Sequence, residues 1–115
     1  GDLATSRDVR AINQSITNIL LTRKGERPFF PDFGVGLESL YYDLSTMEMS
    51  DFVFLKEEVR SNINKFEGNV VFKNFEIINK DSKLDDGKVE LLVSYTIKSL
   101  QDDAVNTVKI VIEEN

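Results

Sequence analysis

The chain has no cysteine, no histidine and no tryptophan, and only two of its 115 residues are proline. Without cysteine there is no disulfide framework, no zinc ribbon and no thiol nucleophile. Without histidine the commonest acid–base group and metal ligand is gone, and so is any triad built on imidazole. A metal site would have to be all-oxygen, yet no D-x-D-x-D-G calcium loop occurs. The run KLDDGKV (Lys83 to Val89) is too short for one and reads as a turn. Positive charge is also scarce: 14 basic against 20 acidic side chains leave a net charge of −6. That balance argues against general affinity for nucleic acid or an anionic membrane, although Arg7, Arg10, Arg23, Lys24 and Arg27 gather toward the N-terminal quarter. No apolar run approaches a membrane span and no secretory signal opens the chain. It begins on Gly1 rather than methionine, as an excised fragment or a cleaved tag would, and native residues are expected to precede it.

What is present is globular composition, 41% hydrophobic and 30% charged, in a length that suits one domain over residues 1–115. Eight Phe and three Tyr supply much of the core volume. Val9, Ile12, Ile16, Ile19 and Leu20 recur at helical spacing and predict a first helix over TSRDVRAINQSITNILLTRKG. Thr5 and Asp8 fit a capping box at its start, and Arg23 and Lys24 suit its last turn before Gly25 ends it. A short second helix is expected over Gly36–Leu44. A third, capped by Ser50, should run to about Phe66 with Phe52, Leu55, Val59, Ile63 and Phe66 on one face. Beyond Gly68 the period becomes two. NVVFKNFEIINKD, KVELLVSYTIKSL and AVNTVKIVIEEN are rich in residues that fit pleated surfaces, with turn signals at Asp85–Gly87 and Gln101–Asp103. The fold class is α+β, N-terminal helices covering the apolar face of a C-terminal three-stranded antiparallel meander.

Between the first two helices lies RKGERPFFPDFGVGL (Arg23 to Leu37), unusually aromatic for a Gly- and Pro-rich loop. Pro28 restricts Arg27 and Pro31 restricts Phe30, so Arg27–Asp32 should be a stiff, extended strip whose adjacent side chains diverge. Glu26 and Arg27 would then seek separate partners, and at least one of Phe29 and Phe30 would point away from the domain. Gly34 and Gly36 allow a sharp turn into the second helix. Aromatic and Arg side chains on a rigid element are the usual anchors of interfaces. The competing reading makes Phe29 and Phe33 core and leaves Glu26 and Arg27 in solvent, and the residues alone do not choose.

These same residues resemble a known family. The run NILLTRKGERPFFPDFGVGL looks like the signature of the small baseplate wedge proteins of contractile phage tails, which have a counterpart in the type VI secretion baseplate. The match lies on Leu20, Leu21, Thr22, Gly25, Glu26, Arg27, Pro31, Phe33, Gly34 and Leu37. The resemblance implies a structural protein of the virion tail baseplate, assembled in the host cytoplasm, with no cofactor or metal. It implies docking of Glu26, Arg27 and Pro28 on the helical core bundle of the larger wedge subunits; Phe29 and Phe30 are partner-binding candidates from the loop residues themselves, with core and interface both open. It also implies initiation of the tail sheath, through strands similar to the handshake region in which sheath subunits complete one another's sheets. The last strand, with Val108, Ile110 and Ile112, is long and rich in β-formers, and strand addition by the sheath protein would cover its edge. An edge covered by the chain's own helix, or one that dimerises weakly, is the alternative.

Members of this family often carry the label acidic lysozyme, which gives an enzymatic alternative. Glycoside hydrolysis needs two carboxyl groups roughly 5–10 Å apart across a sugar-binding cleft. The best local pair is Glu26 and Asp32. On an extended strip they would stand up to about 20 Å apart, so the strip would have to fold back. No tryptophan is available to stack a sugar ring.

Overall fold

A computed structural model describes residues 6–78, 87–99 and 104–113, with side chains from Val9 onward. Helix α1 (Ser6–Leu21) leads through the loop and a 3₁₀ turn (Leu37–Leu40) into α2 (Tyr41–Thr46) and α3 (Met49–Phe66). Strands β1 (Val70–Ile77), β2 (Lys88–Ile97) and β3 (Asn106–Glu113) follow. The fold is the expected α+β arrangement. Helix α1 buries Ile12, Ile16, Ile19 and Leu20 from one stripe, and α3 buries Leu55, Val59 and Ile63 from another.

Two helix ends differ from expectation. Arg23 and Lys24 lie past the end of α1, which stops at Leu21. The reason is a returning segment: Val35 and Gly36 donate their amides to the carbonyls of Ile19 and Thr22, at 3.3 and 2.9 Å. Those carbonyls are thereby satisfied by the chain itself rather than by a further helical turn. At the start of α3, Ser50 already lies within the helix. The cap position falls to Glu48, whose carbonyl accepts the Phe52 amide while no side chain caps the end. Thr5 of the expected capping box lies outside the described residues, as do Asp85, Asp86 and Gln101–Asp103 of the two turn signals.

The sheet has the order β1-β2-β3, both pairs antiparallel. Val89, Leu91, Val93, Tyr95 and Ile97 form the buried face of β2, as their alternation predicts. Val108, Ile110 and Ile112 stand opposite Val93, Leu91 and Val89 and share that face. The register of β1 shifts between Phe72 and Asn74. This bulge lets Val70 and Phe75, an odd number of positions apart, both point inward. Phe75 then stacks on Phe52 of α3, ring centroids 5.6 Å apart and nearly parallel. The strands thus fix α3, which the loop after α1 packs against through Asn62 and Phe66.

Tyr95 joins the sheet to α1 by donating its hydroxyl to Asn13 Oδ1. Burial, and then the negative charge of Glu67, push its phenol above the ordinary tyrosine value. Because the folded-state value is the raised one, this contribution is complete below about pH 10, where an unfolded tyrosine ionises. It is lost as pH climbs through the folded-state value. The melting temperature should therefore fall more steeply above about pH 10 for the wild type than for Tyr95→Phe. Parallel melting curves across that range would contradict the assignment.

Candidate functional site

The loop after α1 does not form an extended strip. The Phe30 amide bonds the Arg27 carbonyl at 3.1 Å and the Phe33 amide bonds the Phe30 carbonyl at 3.0 Å, making two consecutive turns. Pro28 and Pro31 each occupy the second position of a turn. The φ that proline imposes suits this position as well as it suits an extended chain, and the residue before it is free to be the first of the turn. A third bond, from the Gly25 amide to the Pro31 carbonyl at 3.0 Å, closes the two ends on each other. The extended strip is thereby replaced by turns at both prolines.

Two glycines make the return possible. Gly34 has φ +109, and a Cβ there would lie 2.3 Å from the carbonyl oxygen of Thr22. Gly36 has φ +71 and leads into the 3₁₀ turn. With no side chain at 34, the loop settles against α1 and α3 at once. The Gly34 amide donates to Asn62 Oδ1 of α3 at 2.9 Å, while Asn62 Nδ2 donates to the Glu58 carbonyl at 3.1 Å. Asn62 is the buried polar side chain among the described residues, and both ends of its amide are matched. It went unremarked in the sequence because a polar residue at that point looks like a gap in the apolar stripe of α3. The signal was its position one residue before Ile63, on the face that packs.

The side chains divide into anchors and presented groups. Phe33 and Leu37 are buried. The Phe33 ring lies 4.9 Å from that of Phe66, and the Arg27 guanidinium carbon sits 4.2 Å over its centroid. Arg27 therefore stacks on its own loop, and among the described residues neither it nor Glu26 forms an ion pair. Phe30 is half exposed and meets Phe66 edge-on at 6.3 Å, whereas Phe29 is 88% exposed. The loop thus offers Phe29, Pro28, Glu26 and the outer edge of Arg27 to solvent.

The carboxylate pair is not brought together in one cleft. Glu26 lines an open cleft of about 890 Å³ with Arg23, Lys24 and Glu38. Asp32 lines a separate groove against α3 and holds Lys65 at 3.4 Å. Among the described residues no group of three or more Asp and Glu is arranged to hold a metal ion, and no helix is long and apolar enough to cross a membrane.

The strand residues singled out for partner binding need a correction. The side chains of Val108, Ile110 and Ile112 are buried in the domain's own core, so they are not presented. What β3 presents is the backbone on its outer edge, together with Thr107, Lys109 and Val111 on the open face. Lys109 reaches across that face to Glu90 at 3.2 Å, which draws its charge inward from the edge it would otherwise guard.

Comparison with known proteins gives the following. The sequence profile of the family described as baseplate wedge protein gp25 matches residues 6–102. Baseplate wedge protein gp25 of Enterobacteria phage T4 is 33% identical over 66 residues, 57% of this chain and 48% of that protein, so the match spans about half the length of the curated relative. The crystal structure of a Geobacter sulfurreducens protein provisionally named a tail lysozyme has a TM-score of 0.68 at 20% identity, covering 99% of this chain and 98% of that one. That likeness is one of fold.

Two substitutions test the loop's attachment by urea denaturation. Gly34→Ala should cost about 2 kcal/mol or more, since both its φ and its contact with Thr22 oppose a side chain. Asn62→Ala should cost about 1–3 kcal/mol by leaving the Gly34 amide unpaired. Wild-type stability in either variant would contradict the geometry.

Proposed function

The chain belongs to the baseplate wedge protein gp25 family, and from that membership we propose that it is a structural component of a contractile-tail baseplate. In this reading it docks on the larger wedge subunits through Glu26, Arg27, Pro28, Phe29 and Phe30. It primes the sheath by lending the outer edge of β3 to strands of the sheath protein. The protein acts at the tail baseplate of the virion and is assembled in the host cytoplasm. A type VI secretion baseplate is the alternative setting for the same surfaces.

The observation that carries the docking reading is Phe29, almost wholly exposed on a loop whose neighbours are pinned by Gly34, Phe33 and Leu37. An aromatic ring held in water gains about 2 kcal/mol when a partner covers it. Because the loop is ordered by internal bonds, little further conformational entropy is lost on docking. Stacking on Phe33 holds the Arg27 guanidinium in one plane, which prepares its edge for a carboxylate or for backbone carbonyls. The open edge of β3 supports the second contact, since a row of main-chain groups there has no strand beside it among the described residues.

A hydrolase using Glu26 and Asp32 is less well served. The two carboxylates line different clefts and Asp32 is engaged by Lys65. The lysozyme name belongs to the Geobacter protein, which shares the fold.

Arg27→Glu should weaken association with the larger wedge subunits by about a hundredfold or more, as loss of an interface hot spot does, while circular dichroism and melting temperature stay near wild type. A complex of undiminished affinity would sink the docking reading. Peptidoglycan clearing by the purified protein, stopped by Glu26→Gln, would establish the hydrolase in its place.

A further inference from the structure

Strand β3 is an edge of the sheet, and its free main-chain row follows from the bonds on the far side of β2. The Ile78 amide donates to the Glu90 carbonyl at 2.9 Å, and the Lys98 amide donates to the Asn69 carbonyl at 2.8 Å. The even-numbered positions of β2 therefore turn their main-chain groups toward β1. Val89, Leu91, Val93 and Tyr95 turn theirs toward β3, where they meet Ile112, Ile110, Val108 and Asn106. In an antiparallel ladder such residues exchange both of their bonds. The amides and carbonyls of Thr107, Lys109, Val111 and Glu113 are left pointing outward, and the side chains of these residues stand exposed on the open face.

The two edges of the sheet are guarded differently. Strand β1 carries the bulge between Phe72 and Asn74, with Lys73 exposed inside it. Strand β3 keeps a continuous register with β2, contains no proline, and has its lysine drawn toward Glu90. Those are the devices that close an edge, and β3 lacks them.

We propose that β3 pairs with β3 of a second copy of this chain, antiparallel about a two-fold axis, joining the two sheets edge to edge.

The occupant follows from the order of charges along the edge. A two-fold axis normal to the sheet keeps the helix-covered faces of both copies on one side. The outward residues must then stand opposite one another, which leaves few registers. Lys109 opposite the second copy's Lys109 places like charges together, and Lys109 opposite its Val111 pairs no charges. Lys109 opposite its Glu113 forms an attractive pair on each side of the axis. That register also sets Val111, 42% exposed, against its own counterpart at the centre. The facing pairs exchange roughly six main-chain hydrogen bonds, two to each pair. Lys109 Nζ has three donors, so its contact with Glu90 on the inner side leaves others for Glu113 on the outer side. Glu113 forms no ion pair among the described residues. Main-chain bonds alone accept any strand, but the charge order selects a copy of this one. The contact is short, so the dimer is weak, with a dissociation constant on the order of 100 μM.

The proposal involves no residue of the loop and stands without either contact in the proposed function. Where the sheath contact also holds, the two exclude each other, since both use this edge.

Sedimentation equilibrium of the full chain, from about 10 μM to about 1 mM, is the test. The weight-average mass of wild type should rise with concentration from 13.1 kDa toward double that value. Lys109→Glu makes both facing pairs acidic, and Glu113→Lys makes both basic. Each variant alone should self-associate about tenfold or more weakly than wild type. An equimolar mixture of the two restores both opposite-charge pairs and should recover wild-type association. Both positions are exposed, so the variants should fold, and the melting temperature checks this. Loss of the Lys109–Glu90 contact does not mimic the result, because mixing chains repairs no defect within one chain. Wild type that stays at monomer mass throughout overturns the proposal. So do single variants that associate as wild type does, or a mixture no more associated than its components.

Discussion

Between the amide of Gly34 and the side chain of Asn62 runs a buried hydrogen bond of 2.9 Å that joins residues 28 apart in sequence. The loop and α3 meet through it. The loop is drawn onto α3. Its closeness to Thr22, which no residue with a Cβ could match at position 34, lets Val35 and Gly36 close the end of α1. The bond also explains why the side chain at 62 is an amide. It must accept from Gly34 and donate to the Glu58 carbonyl together, and no hydroxyl or carboxylate serves both directions as well.

Around that bond the structure separates holding from presenting. Phe33 and Leu37 enter the core, and Phe33 lies between Arg27 and Phe66 as a spacer that sets the guanidinium at the surface. Phe52 stacked on Phe75 fixes α3 to the sheet, so the loop inherits its orientation from the strands. The loop is thus held by contacts within the domain itself. At the other side of the sheet, Val108, Ile110 and Ile112 hold β3 in the core, and its outer edge has no strand beside it among the described residues. Loop and edge strand lie on one framework of helices and sheet.

Much of this was legible in the residues. The stripes of α1 and α3 and the alternation of β2 are long, regular signals, and the structure buries the residues they marked except Val9, Phe52 and Phe66, which are partly buried against the core. The family signature marked Gly34 and Leu37 within the loop, both of which are structural anchors. The rest was not legible because the local evidence was degenerate. The φ of Pro28 and Pro31 fits an extended strip and a turn equally, and only the long-range closure from Gly25 to Pro31 decides between them. Val108, Ile110 and Ile112 read as an available strand, whereas their burial depends on which face the helices cover. Asn62 matters through a partner 28 residues away, and spacing within α3 marks its face but not that partner. The end of α1 was misplaced for a related reason, since it is set by Val35 and Gly36 rather than by Arg23 or Lys24.

The central claim is that the loop is built before it docks. Amide hydrogen exchange of the isolated protein, resolved by residue, tests this most directly. The account predicts slow exchange at Gly25, Phe33, Gly34, Val35 and Gly36, whose amides are bonded within the domain, beside fast exchange at Arg27 and Phe29. Exchange at the rate of an unstructured chain throughout Arg23–Leu37 would contradict it, for the loop would then take its shape only from the partner.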